Sequence, residues 1–265
     1  MIQELPHKVL RPEKQQGIAR PVNKTAGYEF TIIIPVYNEE ENIYTLEEKL
    51  SWFLAQSPLT ACVLFVNDGS TDRSRQRILE ICSRHEHFYH LGLARNSGLS
   101  AALKAGIEAT WSPYVGYIDA DLQTTPQDFN LLFPYLKEYE MVLGIRAVRE
   151  DSLVKRASSL VANSFRRLMT KDGIRDTGCP LKIMHTEYAR RVPLFNGMHR
   201  FLPALIQLQH GRVKQVPVKH FPRMAGQSKY HLWNRLAGPF MDCFAFRWMK
   251  SRYINIHISE SNLEG

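Results

Sequence analysis

Short apolar runs alternate with helix-like stretches along the first half of the chain, and this alternation constrains the fold more than any other feature. The runs are rich in β-branched and aromatic residues, which is typical of strands, and the stretches between them have helical spacing. Strands that alternate with helices predict an α/β fold, in which a mostly parallel central sheet carries helices on both faces. The predicted strands are Phe30–Val36, Ala61–Val66, Phe88–Leu93, Tyr114–Asp119 and Met141–Ile145.

Two of the intervening stretches place apolar residues three and four positions apart, which is typical of a helix with one buried face. A third helix is expected directly after the fourth strand, because Thr125 suits an N-cap and Pro126 suits the first helical position. The residues predicted to be buried are Ile43, Leu46, Leu50 and Phe53 in the first helix, and Leu99, Ala102, Leu103 and Ile107 in the second.

The pattern is less regular beyond residue 145, but it still predicts helices and strands. They are a basic helix over Leu153–Met169, a strand at Pro180–His185, a helix from His199 to Gly211, a strand at Arg212–Phe221 and a closing amphipathic helix from Tyr230. The chain is accordingly expected to divide into three parts. These are a loose extension over residues 1–27, one large domain over residues 28–229, and a C-terminal helix and tail over residues 230–265.

The charge of the chain favours an anionic partner. The 265 residues carry a formal net charge of +8, with a pI near 9.3, which suits nucleic acid, an acidic membrane surface or a phosphorylated substrate. The four cysteines form no C-x-x-C pair, so a reducing cytoplasm is favoured over a disulfide framework or a zinc site. No apolar run reaches the roughly 18 residues that cross a bilayer, and no signal peptide is expected.

Acidic motifs follow the first two predicted strands, at the ends where open α/β sheets bind ligands. The first motif includes Pro35, Tyr37 and Glu39, and the second places Asp68 in the turn N-D-G-S-T-D. A carboxylate in such a turn can accept hydrogen bonds from a nucleoside. Each motif alone also has a structural interpretation, either as a strand exit that favours the next helix or as a tight turn.

A pair of aspartates, Asp119 and Asp121, follows the fourth predicted strand. Side chains two positions apart at a strand end project to the same side, so both carboxylates can share a hard divalent cation, with the Gln123 carbonyl as a further ligand. Without a cation, two buried carboxylates would repel each other. The motif therefore predicts a Mg²⁺ or Mn²⁺ site that bridges a diphosphate, and the alternative is an exposed acidic turn.

The order of these motifs resembles that of the family 2 glycosyltransferases, which have a Rossmann-like GT-A fold. The motifs are I-I-I-P-V-Y-N-E from Ile32, N-D-G-S-T-D from Asn67, R-N-S-G from Arg95 and D-A-D-L-Q from Asp119. Later motifs narrow the resemblance to dolichol-phosphate mannose synthases and bacterial polyprenyl-phosphate glycosyltransferases. They are G-I-R from Gly144, D-T-G-C-P-L-K from Asp176, M-H-R from Met198 and R-M-A-G-Q-S-K-Y from Arg223, together with Lys155, Arg156 and Ser159.

The resemblance implies an inverting, metal-dependent hexosyltransferase that moves a sugar from a GDP- or UDP-linked donor onto undecaprenyl or dolichyl phosphate. The implied catalytic residues are Asp121, Arg146 and Arg223, and the implied metal ligands are Asp119, Asp121 and Gln123. The implied donor-binding residues are Pro35, Tyr37, Glu39, Asp68, Asp119, Ala120 and Lys229. The implied phosphate- or acceptor-binding residues are Lys155, Arg156, Ser159, His199, Arg200 and Ser228. Lys155 departs from the dolichol branch, which usually has arginine, with its bidentate fork, four residues before the serine, so the phosphate contact could be made by Lys155 or by Arg156.

Such a reaction explains the many cationic side chains. Two unit charges about 4 Å apart repel by about 4 kcal/mol at an effective dielectric constant of about 20, so a diphosphate and an acceptor phosphate need neutralisation. A metal ion and several Arg and Lys side chains supply it. A phosphate monoester is already largely ionised at neutral pH, so no general base is required.

Other functions remain open from the sequence. The acceptor could be a sugar hydroxyl in polysaccharide, lipopolysaccharide or glycolipid synthesis. Nucleotidyl transfer also uses paired carboxylates, but the chain has neither a G-x-G-x-x-G nor a G-x-x-x-x-G-K phosphate loop. A nucleic-acid-binding module would explain the charge but not the acidic strand ends, so we expect no nucleic-acid partner.

The expected location is cytoplasmic and peripheral, on the inner face of the cytoplasmic membrane. The last predicted helix combines aromatic side chains with arginines and lysines, which suits the surface of an anionic bilayer. The same aromatic residues would also suit packing on the sheet or against a second subunit, so a homo-oligomer is a further possibility.

Overall fold

The computed structural model describes residues 24–146, 164–219, 221, 237–255 and 259–260. Six predicted site residues lie outside the described residues: Lys155, Arg156, Ser159, Arg223, Ser228 and Lys229. Most of the predicted N-terminal extension also lies outside them, and its described end, Lys24–Gly27, forms a 3-10 helix.

A seven-stranded sheet in the order β3-β2-β1-β4-β6-β5-β7 forms the centre of the protein. Within the described residues, β6 is the strand that runs antiparallel to its neighbours, so the predicted mostly parallel sheet is confirmed. Pairing of the fourth strand ends two residues earlier than predicted, because the chain turns away at Asp119. The strands are β1 Phe30–Val36, β2 Ala61–Asn67, β3 Phe88–Gly92, β4 Tyr114–Tyr117, β5 Met141–Arg146, β6 Lys182–His185 and β7 Val213–Val218.

Helices cover both faces of this sheet, as predicted. The α-helices are α1 Ile43–Gln56, α2 Ser74–Arg84, α3 Leu99–Ala109, α4 at residues 164–170, α5 Thr186–Arg190, α6 Leu202–Leu208 and α7 Ala237–Arg252. Short 3-10 helices lie at Glu40–Asn42, Pro126–Leu131, Phe133–Tyr135 and Met198–Arg200.

The core lies in two layers, one on each face of the sheet. Alternate residues of β1 point to opposite faces, so Ile32 and Ile34 join one cluster of buried side chains and Ile33 joins the other. The first cluster packs under α1 and α2, and the second under α3, α5, α6 and α7. Burial on both faces explains why β1 and β2 are continuous apolar runs.

The helix expected after β4 is a 3-10 helix, and Thr125 does not cap it. The Thr125 hydroxyl bonds to the side chain of Gln127, and it accepts no backbone N–H of the helix. Pro126 does occupy the first turn, as predicted. A longer α-helix is prevented because Pro134 has no N–H to donate to the carbonyl four residues earlier.

The predicted closing helix is present as α7, and its buried face packs on the second core cluster. It is only weakly amphipathic, because large apolar side chains also lie on its exposed face. Cys243 and Phe246 are buried, and the ring of Phe246 stacks on that of Phe201 with centroids 5.7 Å apart. Met241 and Trp248 lie exposed on the same helix. None of the described helices is long and apolar enough to cross a membrane.

Candidate active site

The carboxyl ends of β1, β2 and β4 meet at one edge of the sheet, and three predicted motifs follow them. The register pairs Val36 at the end of β1 with Asn67 at the end of β2. On the other side of β1, Ile118 donates its N–H to the Ile33 carbonyl at 3.4 Å, so the chain keeps its direction as far as Asp119. Strand order reverses between β1 and β4, which is where sheets of this type bind ligands.

Asn38 ties the loop after β1 to the loop after β2. Its φ of 52° is left-handed, a conformation that asparagine tolerates better than most residues. Its side-chain oxygen accepts the N–H of Thr71 at 2.8 Å, and its own N–H donates to Ser70 Oγ at 3.0 Å. The two loops are therefore held together before any ligand binds.

The predicted donor-binding residues are partly exposed, with Pro35 near the end of β1 and Tyr37 and Glu39 in the loop that follows it. Glu39 is anchored at both ends, because its N–H donates to Ser74 Oγ at 2.9 Å and its carboxylate accepts the side-chain amide of Asn42 at 2.8 Å. These two hydrogen bonds fix the position of Glu39 at the edge of the candidate site. Contact of these residues with a nucleoside remains a prediction.

Asp68 is buried, and each of its oxygens accepts a backbone N–H at the start of α3. The distances are 2.7 Å to Ser97 N and 2.8 Å to Gly98 N. Gly69 next to it has a φ of +66°, and a Cβ there would lie 2.5 Å from Asn96 N, where no side chain fits. Asp68 thus orients the loop before α3, and its remaining lone pairs are those that could accept from a nucleoside.

The predicted metal motif forms a strained turn. Asp119 is partly exposed and Asp121 is buried, with one Asp121 oxygen accepting the Gln123 N–H at 3.2 Å. Leu122, directly after Asp121, has a φ of 60°, which costs a leucine about 1–3 kcal/mol and is typical of functional turns. The side chain of Ala120 is buried in the first core cluster, so any contact with a donor would use its backbone.

The oxygen atoms of this turn fit a hard divalent cation but do not complete its shell. Carboxylates such as those of Asp119 and Asp121 are preferred ligands of Mg²⁺ and Mn²⁺. The Gln123 carbonyl accepts the Phe221 N–H at 2.9 Å, which uses one of its two lone pairs. Among the described residues, no group of three or more His, Cys, Asp and Glu side chains could hold a metal. The fit therefore requires further oxygens, which a donor diphosphate would supply.

Arg146, the last residue of β5, is held in a bidentate ion pair with Asp176. Its Nε and Nη2 atoms donate to the two carboxylate oxygens at 2.7 Å each. Asp176 also accepts the Gly178 N–H at 3.1 Å, so the guanidinium is held against the turn that precedes β6. The predicted catalytic arginine thus has an orienting partner 30 residues away in the chain, which the motif spacing does not reveal.

Lys182 at the start of β6 is a buried cation to which the sequence analysis assigns no role. Its ammonium donates to Tyr117 Oη at 2.9 Å, to the Thr177 carbonyl at 3.2 Å and to the Cys179 carbonyl. Burial lowers its pKa to about 8, so it is still mostly protonated at neutral pH. Two signals in the sequence point to it: Lys182 ends the motif D-T-G-C-P-L-K, and it precedes the apolar residues Ile183 and Met184 of the strand.

His199 and Arg200 lie on the 3-10 helix between β6 and α6. Burial lowers the pKa of His199 to about 3, so its imidazole is neutral at physiological pH and offers a phosphate no positive charge. Its Nδ1 lies 2.9 Å from Ser100 Oγ at the start of α3. Arg200 faces Asp242 of α7, where it opposes the rise that burial causes in the Asp242 pKa. Contact of His199 and Arg200 with an acceptor remains a prediction.

Comparison with known proteins identifies relatives over most of the chain. The family model described as glycosyl transferase family 2 matches residues 31–192. A dodecaprenyl-phosphate galacturonate synthase of Rhizobium johnstonii is 30% identical over 82% of this chain and 65% of its own length. An undecaprenyl-phosphate 4-deoxy-4-formamido-L-arabinose transferase of Pectobacterium carotovorum is 32% identical over 76% of this chain and 62% of its own length. The chain thus spans less than two thirds of these relatives.

Solved structures share the fold at low sequence identity. Glucosyl-3-phosphoglycerate synthase from Mycobacterium tuberculosis, in complex with Mn²⁺, UDP and glucosyl-3-phosphoglycerate, is similar with a TM-score of 0.63 and 15% identity. The alignment covers 88% of this chain and 83% of that one. The same enzyme has been solved with Mg²⁺ and UDP. These neighbours confirm the predicted GT-A fold.

Proposed function

This chain belongs to glycosyl transferase family 2, and we propose that it transfers a sugar, with inversion, from a nucleoside-diphosphate sugar to a polyprenyl phosphate. The observation that carries the proposal is the placement of Asp119 and Asp121 at the carboxyl edge of the sheet, beside the loops after β1 and β2. The names of the two curated relatives, which both include a polyprenyl phosphate, support this choice of acceptor.

The donor site is proposed along β2, β1 and β4. Asp68, Pro35 at the end of β1, and Tyr37 and Glu39 in the loop after it would hold the nucleoside. Asp119, Asp121 and Gln123 would hold Mg²⁺ or Mn²⁺. A bound divalent cation neutralises the diphosphate and stabilises it as the leaving group. Because two carboxylates alone do not complete a metal site, cation and nucleotide should bind together. The solved neighbours that hold Mn²⁺ or Mg²⁺ with UDP support a divalent cation here.

The acceptor phosphate is proposed to approach from the side of Arg146. A guanidinium already oriented by Asp176 would present its positive charge to a phosphate without a loss of side-chain entropy at the moment of binding. Asp176 is not free to act as a base, because both of its oxygens accept from Arg146. An ionised phosphate needs no base, which suits this arrangement.

Contact with an anionic membrane surface is proposed through α7. Trp248, Met241 and Leu168 are 68%, 65% and 67% exposed, and Phe240 and Phe244 are also exposed. Leu168 belongs to α4, and the other four belong to α7. The exposed cations of these two helices are Arg167 on α4, and Arg247, Lys250 and Arg252 on α7. Aromatic side chains with flanking cations favour the interface of an anionic bilayer, where a lipid phosphate acceptor resides.

The decisive experiment uses purified protein, Mn²⁺ and radiolabelled nucleotide sugars, with a short polyprenyl phosphate as acceptor. We expect a labelled product that extracts into organic solvent and is released by mild acid, as a glycosyl phosphate is. A product formed only on a sugar hydroxyl, stable to mild acid, would favour the alternative of glycan or glycolipid synthesis. A thermal-shift panel of GDP and UDP with Mn²⁺ would identify the base, since a bound nucleotide raises the unfolding temperature.

A further inference from the structure

Lys182 is the one fully buried lysine among the described residues, with 1% of its surface exposed. A lysine ammonium has three N–H groups, and Tyr117 Oη, the Thr177 carbonyl and the Cys179 carbonyl accept one each. The site is therefore complete, with no N–H left for solvent or for a ligand. Such a group cannot bind substrate directly, so any role in the reaction must act through its partners.

Those partners belong to the two sides of the candidate active site. Tyr117 is the last residue of β4, two positions before Asp119 of the metal motif. Thr177 and Cys179 lie in the turn before β6, and Asp176 in the same turn grips Arg146. The Lys182 ammonium therefore connects the end of β4, just before the metal motif, to the turn at residues 176–179, which orients Arg146.

A buried charge is a poor way to gain stability alone. Moving an ammonium out of water costs several kcal/mol, and apolar residues of similar volume often stabilise a protein as well or better. Yet β6 is otherwise apolar where it enters the sheet, so a methionine would fit the pattern of its neighbours. The lysine is better explained by the three acceptors that it holds in one place.

We propose that Lys182 is a positioning residue that sets the separation between the metal motif and the Arg146–Asp176 pair. This inference rests on the proposed function, in which Arg146 holds a phosphate opposite the metal-bound diphosphate. Without the ammonium, β6 still pairs with β4 through the backbone, but the Thr177 and Cys179 carbonyls lose the side chain that ties them to Tyr117. The turn at residues 176–179 can then shift, and Arg146 is no longer held at the distance that transfer requires. The nucleoside side of the site, on β1 and β2, keeps its own hydrogen bonds.

The test compares Lys182→Met with Lys104→Met. Lys104 is a matched control because its ammonium also donates to two carbonyls of a turn, those of Arg190 and Val192, at 2.5 and 3.0 Å. Hydrogen exchange should accelerate at the Gly178 amide in Lys182→Met, since that amide bonds to Asp176, and stay unchanged in Lys104→Met. With lipid phosphate as acceptor, kcat should fall at least about tenfold in Lys182→Met, while affinity for nucleotide with Mn²⁺ changes less than about threefold.

Three results would overturn the inference: unchanged exchange at Gly178, an equal loss of nucleotide affinity and kcat, or the same loss of kcat in Lys104→Met. If Lys182→Met does not fold, Tyr117→Phe removes a single acceptor and should give a smaller change of the same kind. If wild-type protein transfers no sugar to a lipid phosphate, the proposed function fails. The exchange and nucleotide-binding measurements still decide the role of Lys182 in that case.

Discussion

The two halves of the candidate active site are held together in different ways. The donor half, residues 30–123, is locked by hydrogen bonds between neighbouring loops, such as Asn38 to Thr71 and Asp68 to Ser97. The phosphate half, residues 141–146 and 164–219, depends on single long-range ion pairs and buried cations, such as Arg146 to Asp176. Hydrogen bonds between neighbouring loops suit recognition of one nucleotide, whereas in the phosphate half a single substitution can remove a contact that orients the guanidinium of Arg146.

Asp121→Asn should have the largest effect, because it removes a negative charge from the metal motif while the side chain keeps almost the same size and shape. The asparagine oxygen can still accept the Gln123 N–H, so the turn persists while the cation loses a carboxylate. We expect kcat/KM to fall by about a thousandfold or more, with nucleotide binding no longer strengthened by Mn²⁺. Isothermal titration with and without Mn²⁺ measures this.

Glu108→Gln provides the control for that substitution, since it makes the same charge change on the exposed side of α3. It should leave both measurements unchanged. If Mn²⁺ still strengthens nucleotide binding in Asp121→Asn, the metal site does not lie in this turn, and the donor half lacks its proposed central feature.

Gly69→Ala should weaken nucleotide binding by distorting the donor half. A Cβ at this position would clash with Asn96 N, and a φ of +66° strains any L side chain, at a cost of about 1–3 kcal/mol. Nucleotide affinity should fall between about tenfold and a hundredfold. Gly92→Ala, where no atom lies within 4 Å of the added Cβ, should bind nucleotide normally. Equal behaviour of the two variants would mean that the loop before α3 does not shape the nucleotide pocket.

Arg146→Lys probes the phosphate half in the same way. Lysine keeps the charge but loses the two parallel bonds to Asp176, so the cation is no longer fixed in a plane. We expect kcat/KM for the lipid phosphate to fall by about tenfold, with nucleotide affinity almost unchanged. A larger loss of nucleotide affinity than of turnover would mean that Arg146 belongs to the donor half.

The donor half could be predicted from the sequence and much of the phosphate half could not. The strands and the aspartate pair are local patterns, because a strand buried on both faces must be continuously apolar and its ligand-binding end must turn polar. Partners such as Lys182 and Tyr117, or His199 and Ser100, are 65 and 99 residues apart and have no pattern in common. The failed cap at Thr125 shows another limit, since its hydroxyl bonds to the side chain of Gln127, a pairing that the N-cap pattern does not reveal.

His199 links the two halves, and its protonation should couple their stability to pH. Its pKa is about 3 in the folded protein against about 6.5 when unfolded, so the unfolded state binds more protons between these values. Stability is therefore retained above about pH 6.5 and lost as the pH falls towards 3. Between pH 6.5 and 5, wild type should lose about 1–2 kcal/mol more than His199→Asn in urea unfolding. Parallel pH profiles for the two proteins would show that the imidazole is not buried in a neutral form.

Trp248→Ser should have the smallest effect, confined to a surface outside both halves. Transfer of an exposed indole into a bilayer interface contributes about 1 kcal/mol, so affinity for vesicles with anionic lipid should fall only about threefold to fivefold. Trp111→Ser is the matched control, because Trp111 is 61% exposed but lies just before β4 and not on α7. Co-sedimentation should separate the two variants, while soluble nucleotide binds both equally. If both tryptophans contribute alike, or neither does, α7 is not the membrane-facing surface, and its exposed aromatic residues must instead be explained by contact with another subunit.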